Sequence, residues 1–289
     1  MASLKEIRKR IGSVKKTKKI TKAMNMVAAA KLRRTERKLM SLRPYADSLI
    51  NLIQTINFHI ITDHPFYKKR EEGEPLYVFI TSDKGLCGAF NSRIIKKSEE
   101  LINNNPNSKV VLIGKKIKKH YDRHGYNYEK AYIDIFDELN YNITKKISNY
   151  LADYFVENQN IQEVIFVFNR FKNSIVSKVT TEKFLPRKEE EKEISEEKKE
   201  EMRKIYITEP DIKTMLTYSI NEYLEAEAYR ISLESLASEH GARMAAMDAA
   251  TDNANDMIEN LTKEANRKRQ AEITTEINEI VGGANALEG

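Results

Sequence analysis

The chain has 289 residues, of which 40% are hydrophobic and 32% charged, with a formal net charge of +6. A single cysteine, Cys87, excludes an internal disulfide and fits a reducing compartment. No apolar run approaches the ~18–20 residues of a helical membrane span, and the lysine-rich N-terminus lacks the apolar stretch of a signal peptide. High charge, modest hydrophobicity and only ten glycines and six prolines point to long exposed helices with much surface per residue.

Residues 1–60 carry the first element. Stepping alternately by three and four from Leu4 lands on Ile7, Ile11, Val14, Lys18, Thr21, Asn25, Ala28, Leu32, Thr35, Leu39, Leu42, Ala46, Leu49, Ile53, Ile56 and Ile60. That is the heptad signature of a coiled coil, roughly 85 Å long at ~1.5 Å per residue. Lys18, Thr21 and Asn25 interrupt the seam with polar groups, and Pro44 is where a kink or joint is expected.

Residues 75–186 change character. "LYVFI" (76–80) and "KVVLIG" (109–114) are short buried strands, "EVIFVFNRF" (163–171) is a strong one, and "SIVSKVTTEKFLP" (174–186) alternates like a half-exposed last strand. An amphipathic helix follows the first strand and a basic helix with Ile117 and Tyr121 follows the second. "ISNYLADYFVEN" reads as a third helix. Strands alternating with helices predict a Rossmann-like α/β domain with a largely parallel sheet.

The charge run inside 187–208 is expected to be a solvated linker. From 209 to 289 the helical pattern resumes through Leu216, Tyr223, Ala226, Leu233, Ala237, Met244, Met247, Ala254, Ile258, Leu261 and Ala265. After a slip of one residue it continues through Ile273, Ile277 and Ile280, and Gly282–Gly283 are expected to end the helix. Such a helix is roughly 110 Å long at ~1.5 Å per residue, more than an ordinary globule needs. The fold class that follows is α/β plus a long antiparallel coiled coil of the N- and C-terminal helices. Small residues in 19–34 and 239–255 predict a thin shaft where the two helices meet.

No catalytic constellation emerges. "SDKGLCGAFN" (82–91) sits where a strand-to-helix turn cradles phosphate, but it has no G-x-G-x-x-G and no G-K-[ST], which favours a structural turn. "IGKK" (113–116) fails in the same way. His120 and His124 are four apart without a supporting ligand set, and Cys87 has no companion that marks a nucleophile. Between Met1 and Pro44 fifteen Lys and Arg face only Glu6 and Glu36. Nucleic acid is the obvious partner for such a helix, but no aromatic residue is interleaved before Tyr45 and the charges surround the helix. An acidic protein partner explains them equally well.

Three segments carry a resemblance: "ASLKEIRKRIGSVKKTKKITKAMNMVAAAKLRR", "TSDKGLCGAFN" and "ASEHGARMAAMDAATDNANDMIENLTKEANRKRQAEITTEINEIVGGANAL". In this order and over essentially the whole length, the chain resembles the γ subunit of F-type bacterial ATP synthase. The resemblance implies a central rotor stalk with no cofactor, no metal and no catalytic residue of its own. It implies terminal helices turning inside a ring of three α and three β subunits, and an α/β domain near the c-ring and the ε subunit. The basic, slim segment 19–34 then lies near acidic loops of the β subunits. Met24, Arg243, Arg269, Gln270 and Thr274 match family positions facing or coupled to a β subunit, and Tyr206 and Glu209 match the foot at the c-ring and ε. The location implied is the cytoplasmic face of the plasma membrane, touched only through the c-ring, with no nucleic acid bound. Departures from the family pattern are Asn25 for Glu, Lys84 for Arg, Gly241 for Ala and Asp248 for Lys. No cysteine pair occurs in 187–204, against a thiol-regulated form.

Overall fold

Two stretches poor in glycine and proline become two long helices, α1 (Leu4–Ile56) and α5 (Ile212–Glu288). The computed structural model of the chain describes residues 3–56, 64–173, 177–187 and 212–288. Tyr206, Glu209 and the charge run 188–208 lie outside the described residues. The chain divides into two compact units, Met1–Ala28 with Met244–Gly289, and Ala29–Arg243.

In the first unit, α1 begins with a reciprocal cap. Ser3 Oγ accepts from Glu6 N–H at 3.2 Å, and Ser3 N–H donates to Glu6 Oε2 at 2.6 Å. Two orphan donors of the first turn are thereby satisfied. The predicted seam is the buried one: Ile7, Thr21 and Ala28 are buried, with Leu4, Ile11, Val14, Lys18 and Asn25 partly so. Ile7 packs with Leu261 and Ala265, Thr21 Oγ1 lies 2.7 Å from Thr251 Oγ1, and Asn25 Nδ2 donates to Met244 O at 3.0 Å. Contacts rise along α5 as they fall along α1, so the pair is antiparallel. Thr21 and Asn25 thus form cross-helix hydrogen bonds, which fix register at some expense of apolar burial.

The second unit holds a five-stranded sheet in the order β3-β2-β1-β4-β5. Its strands are β1 (Glu74–Ile80), β2 (Lys109–Ile113), β3 (Lys130–Tyr132), β4 (Ile161–Phe171) and β5 (Ser177–Leu185). All neighbours are parallel except β4 and β5. Side chains alternate between two cores, as the period of two requires. Tyr77, Phe79, Val110, Leu112 and Val167 pack under α2 (Phe90–Asn104) and α3 (Lys115–His124) through Ile94, Ile117 and Tyr121. Leu76, Val78, Val111, Ile113, Phe166 and Phe168 face α4 (Tyr141–Glu157), α1 through Leu42, Leu49 and Ile53, and α5 through Leu216, Ile220 and Ile231. Burial on both faces is why β1 and β2 read as unbroken apolar runs.

Pro44, where a kink or joint is expected, lies inside α1. It is exposed, so water can take the Met40 carbonyl that loses its partner. Gly282 and Gly283 do not end α5, which continues to Glu288. Neither glycine adopts a positive φ, and each costs a helix only about 1 kcal/mol relative to Ala. The three-residue strand β3 has no counterpart in the sequence reading.

Candidate partner-contact surfaces

In a sheet of this order, the crevice that holds a ligand in related architectures opens between the carboxyl ends of β1 and β4. Here side chains fill it. Ser82 N–H donates to Asn91 Oδ1 at 2.9 Å, Asn169 Nδ2 donates to Phe90 O at 3.1 Å, and Ser238 Oγ of α5 donates to Asn169 O at 2.8 Å. Ser82 and Asn169 are fully buried. Cys87 sits beneath the same turn, 2% exposed, and burial pushes its thiol above the ordinary value. The 82–91 segment is therefore a structural turn packed on α5, in which Gly88 supplies a positive φ of +54°.

Arg243 binds this turn. Its Nη2 donates to Gly85 O at 3.1 Å and pairs with Glu239 Oε1 at 2.7 Å, leaving 13% of the side chain exposed. Around it stand Lys31 of α1, Lys84, which pairs with Asp137 at 2.5 Å, and the buried His240. Burial lowers His240 to about 4, with Arg243 and Lys31 adding to the effect, so the imidazole is neutral at ordinary pH.

Further along, α5 is buried almost all round from Tyr223 to Gly241, although it carries Glu225, Glu227, Arg230, Glu234 and Glu239. Arg230 collects three carboxylates: Glu227 at 2.7 Å, Glu234 at 2.6 Å, and Glu182 of β5. Arg170 of β4 also pairs with Glu182, and Lys145 of α4 with Glu225 at 2.8 Å. A seam of apolar residues at heptad spacing gives no hint of this ring of charge.

Residues 269–283 are exposed on every side. Arg269, Ile273, Ile277 and Ile280 lie on one face by helical spacing, with the isoleucines 48%, 54% and 66% exposed. Gln270 and Thr274 share the adjoining face, Thr274 Oγ1 donating to Gln270 O at 2.9 Å. On α1, Ile20, Met26 and Val27 are exposed and Met24 is half-buried beside them. The structure thus leaves two apolar surfaces open on the paired helices, whereas Arg243 is held within the second unit. The rings of His120 and His124 lie 4.2 Å apart on α3, tilted by 35°, with His120 Nε2 meeting Glu99 Oε1 at 2.9 Å. Among the described residues no three His, Cys, Asp or Glu side chains gather as metal ligands. Among them, too, no helix is long and apolar enough to cross a membrane.

A family model described as ATP synthase matches residues 3–287. The ATP synthase gamma chain of Pelotomaculum thermopropionicum is 39% identical over the full length of both chains. That of Salinibacter ruber is 41% identical, spanning all of this chain and 99% of its own. Among solved structures, a chain from the central stalk and c-ring of Tetrahymena thermophila mitochondrial ATP synthase superposes with a TM-score of 0.61 at 25% identity, covering 80% of this chain and 99% of that one. A chain from Euglena gracilis mitochondrial ATP synthase gives a TM-score of 0.67 at 19% identity, over 98% of this chain and 94% of that one, a likeness of fold alone.

Proposed function

We infer the function of this chain from the family to which it belongs, the gamma chains of ATP synthase: it is the central rotor stalk, a non-catalytic subunit on which catalysis elsewhere depends. Turning of the c-ring is carried by the stalk to the catalytic β subunits, where ATP is made or hydrolysed. One observation carries the reading beyond family membership. The last turns of α5 expose an apolar face at Ile273, Ile277 and Ile280 that nothing in the described chain covers. A helix with an uncovered apolar face needs a partner.

The ring of α and β subunits is that partner in this reading. Arg269, Gln270 and Thr274 contact a β subunit near the end of α5, and Met24 lies in the shaft beside acidic β loops. An axle of two unlike helices presents a different face to each β subunit, so the three sites differ at any instant. Rotation exchanges those states, which is allostery through a shared rigid element. Arg243 contributes by fixing the 82–88 turn against α5, since its guanidinium is occupied by Gly85 and Glu239. Tyr206 and Glu209 belong to the foot that meets the c-ring and ε at the cytoplasmic face of the membrane. Co-expressed with its α and β subunits, the tagged chain is expected to recover both in an active ATPase. An α–β assembly whose turnover is the same without the chain overturns the reading.

A further inference from the structure

We propose that the cleft between the segment preceding β1, the start of β4 and the end of β5 binds a phosphate-bearing anion. The cleft encloses about 240 Å³ and is lined by Lys69, Arg70, Gln162, Glu163, Lys183 and Arg187. That is the volume of about eight waters, room for a phosphate or diphosphate group with part of its hydration. Four cations face one carboxylate there, and that carboxylate, Glu163, is already paired with Lys183.

The two arginines are held in place by neutral groups. Arg70 Nη1 donates to the carbonyls of Asn158 at 2.8 Å and Ile161 at 2.5 Å, and Nη2 donates to Phe155 O at 2.7 Å. Its guanidinium lies 4.0 Å from the centroid of the Phe155 ring. Three bonds leave two of its five N–H donors over. Arg187 Nη2 donates to Tyr223 Oη at 2.5 Å, its guanidinium lies 4.7 Å from that ring, and its backbone N–H donates to Phe66 O at 2.7 Å. Gln162 Nε2 donates to the carbonyls of Arg70 at 3.2 Å and Glu71 at 3.0 Å, fixing the segment that carries Lys69 and Arg70 to β4. Among the described residues, Lys69, Arg70 and Arg187 form no ion pair with a carboxylate. The charge of Glu227 reaches Arg187 without a bonded contact; cations with no bonded carboxylate around a recess concentrate anions, and guanidinium forks match the oxygens of phosphate. The ligand is either free phosphate or diphosphate, or the headgroup of an anionic lipid.

The test uses the full chain and two exposed positions, Lys69 within the cleft and Lys68 beside it. Pyrophosphate is titrated by calorimetry. Sedimentation with vesicles of phosphatidylcholine, with and without phosphatidylglycerol, supplies the lipid arm. Lys69→Glu is expected to weaken binding at least about tenfold, the loss of a charge-assisted contact, while Lys68→Glu changes it less than about threefold. That pattern with pyrophosphate identifies a free anion, and the same pattern with anionic vesicles alone identifies a headgroup. No binding in either arm, or equal weakening in both variants, overturns the proposal. Neither arm involves α or β subunits, so its failure is separate from any failure of the rotor reading.

Discussion

Replacing Arg230 with methionine removes the one cation that Glu227 holds at bonding distance among the described residues. Arg230 binds both oxygens of Glu227, and the two side chains are 22% and 10% exposed. Breaking a buried pair by deleting one partner costs about 3–5 kcal/mol, because the remaining charge loses its compensation. Arg170 still faces Glu182 and, at 3.6 Å, Glu234, so the penalty falls mainly on Glu227 and the lower end, about 3 kcal/mol, applies. For a domain of this size that lowers the melting temperature by roughly 6–12 °C. Burial pushes the Glu227 carboxyl up, but the hydrogen bonds and charge of Arg230 outweigh it and hold the group below its usual range. In the wild type Glu227 therefore stabilises the fold above its unfolded value of about 4.3, and that gain is lost as pH falls through the lower folded value. Without Arg230, burial is opposed only by the lesser effects of the Arg187 charge and the Glu182 hydrogen bond, so the folded value rises and the variant loses stability as pH rises. Urea unfolding of the full chain, followed by circular dichroism, should show the deficit widening from pH 5 to pH 8. Glu227→Gln added to Arg230→Met should restore most of it. A loss below about 1 kcal/mol at pH 8, or a deficit independent of pH, would refute the charge argument.

Three further outcomes follow from the same geometry. The purified chain alone should release no phosphate from ATP above background, and turnover that survives removal of every trace of α and β subunits contradicts the packed turn at 82–91. Arg269→Ala with Gln270→Ala should leave assembly intact but lower proton pumping per ATP hydrolysed, since a charge-assisted hydrogen bond to a partner contributes about 1.5–3 kcal/mol; wild-type pumping in the reconstituted variant counts against that contact. Gly114 has φ +103°, and a Cβ there would lie 2.2 Å from Thr81 O, so Gly114→Ala should cost about 3 kcal/mol or more in urea unfolding, and an unchanged midpoint refutes the close approach.

The elements legible from sequence were those with a strong period. The heptad walk from Leu4 matches the buried face of α1, and Ile117 and Tyr121 are both fully buried on α3. The strand β3 escaped because three residues, Lys130–Tyr132, carry no period, and pairing with β2 alone defines them. The ring of charge around Arg230 escaped for a different reason. Glutamates between apolar positions read as a solvated face, and only the contact of β5 and α4 with α5 shows them inside. Gly282–Gly283 misled because glycine ends a helix by adopting a left-handed conformation, and neither residue does so here. Of the surface positions taken from the resemblance, Arg269, Gln270 and Thr274 are open for contact, whereas Arg243 is held by the turn. Tyr206 and Glu209 lie outside the described residues.

The central claim is that this chain turns within a ring of α and β subunits. With the ring fixed to glass and a bead attached to the α/β unit through an exposed position such as Lys69→Cys, ATP should drive one-way rotation that pauses at three equally spaced angles. Hydrolysis by the same complexes with the bead stationary, or moving without direction, would contradict the account.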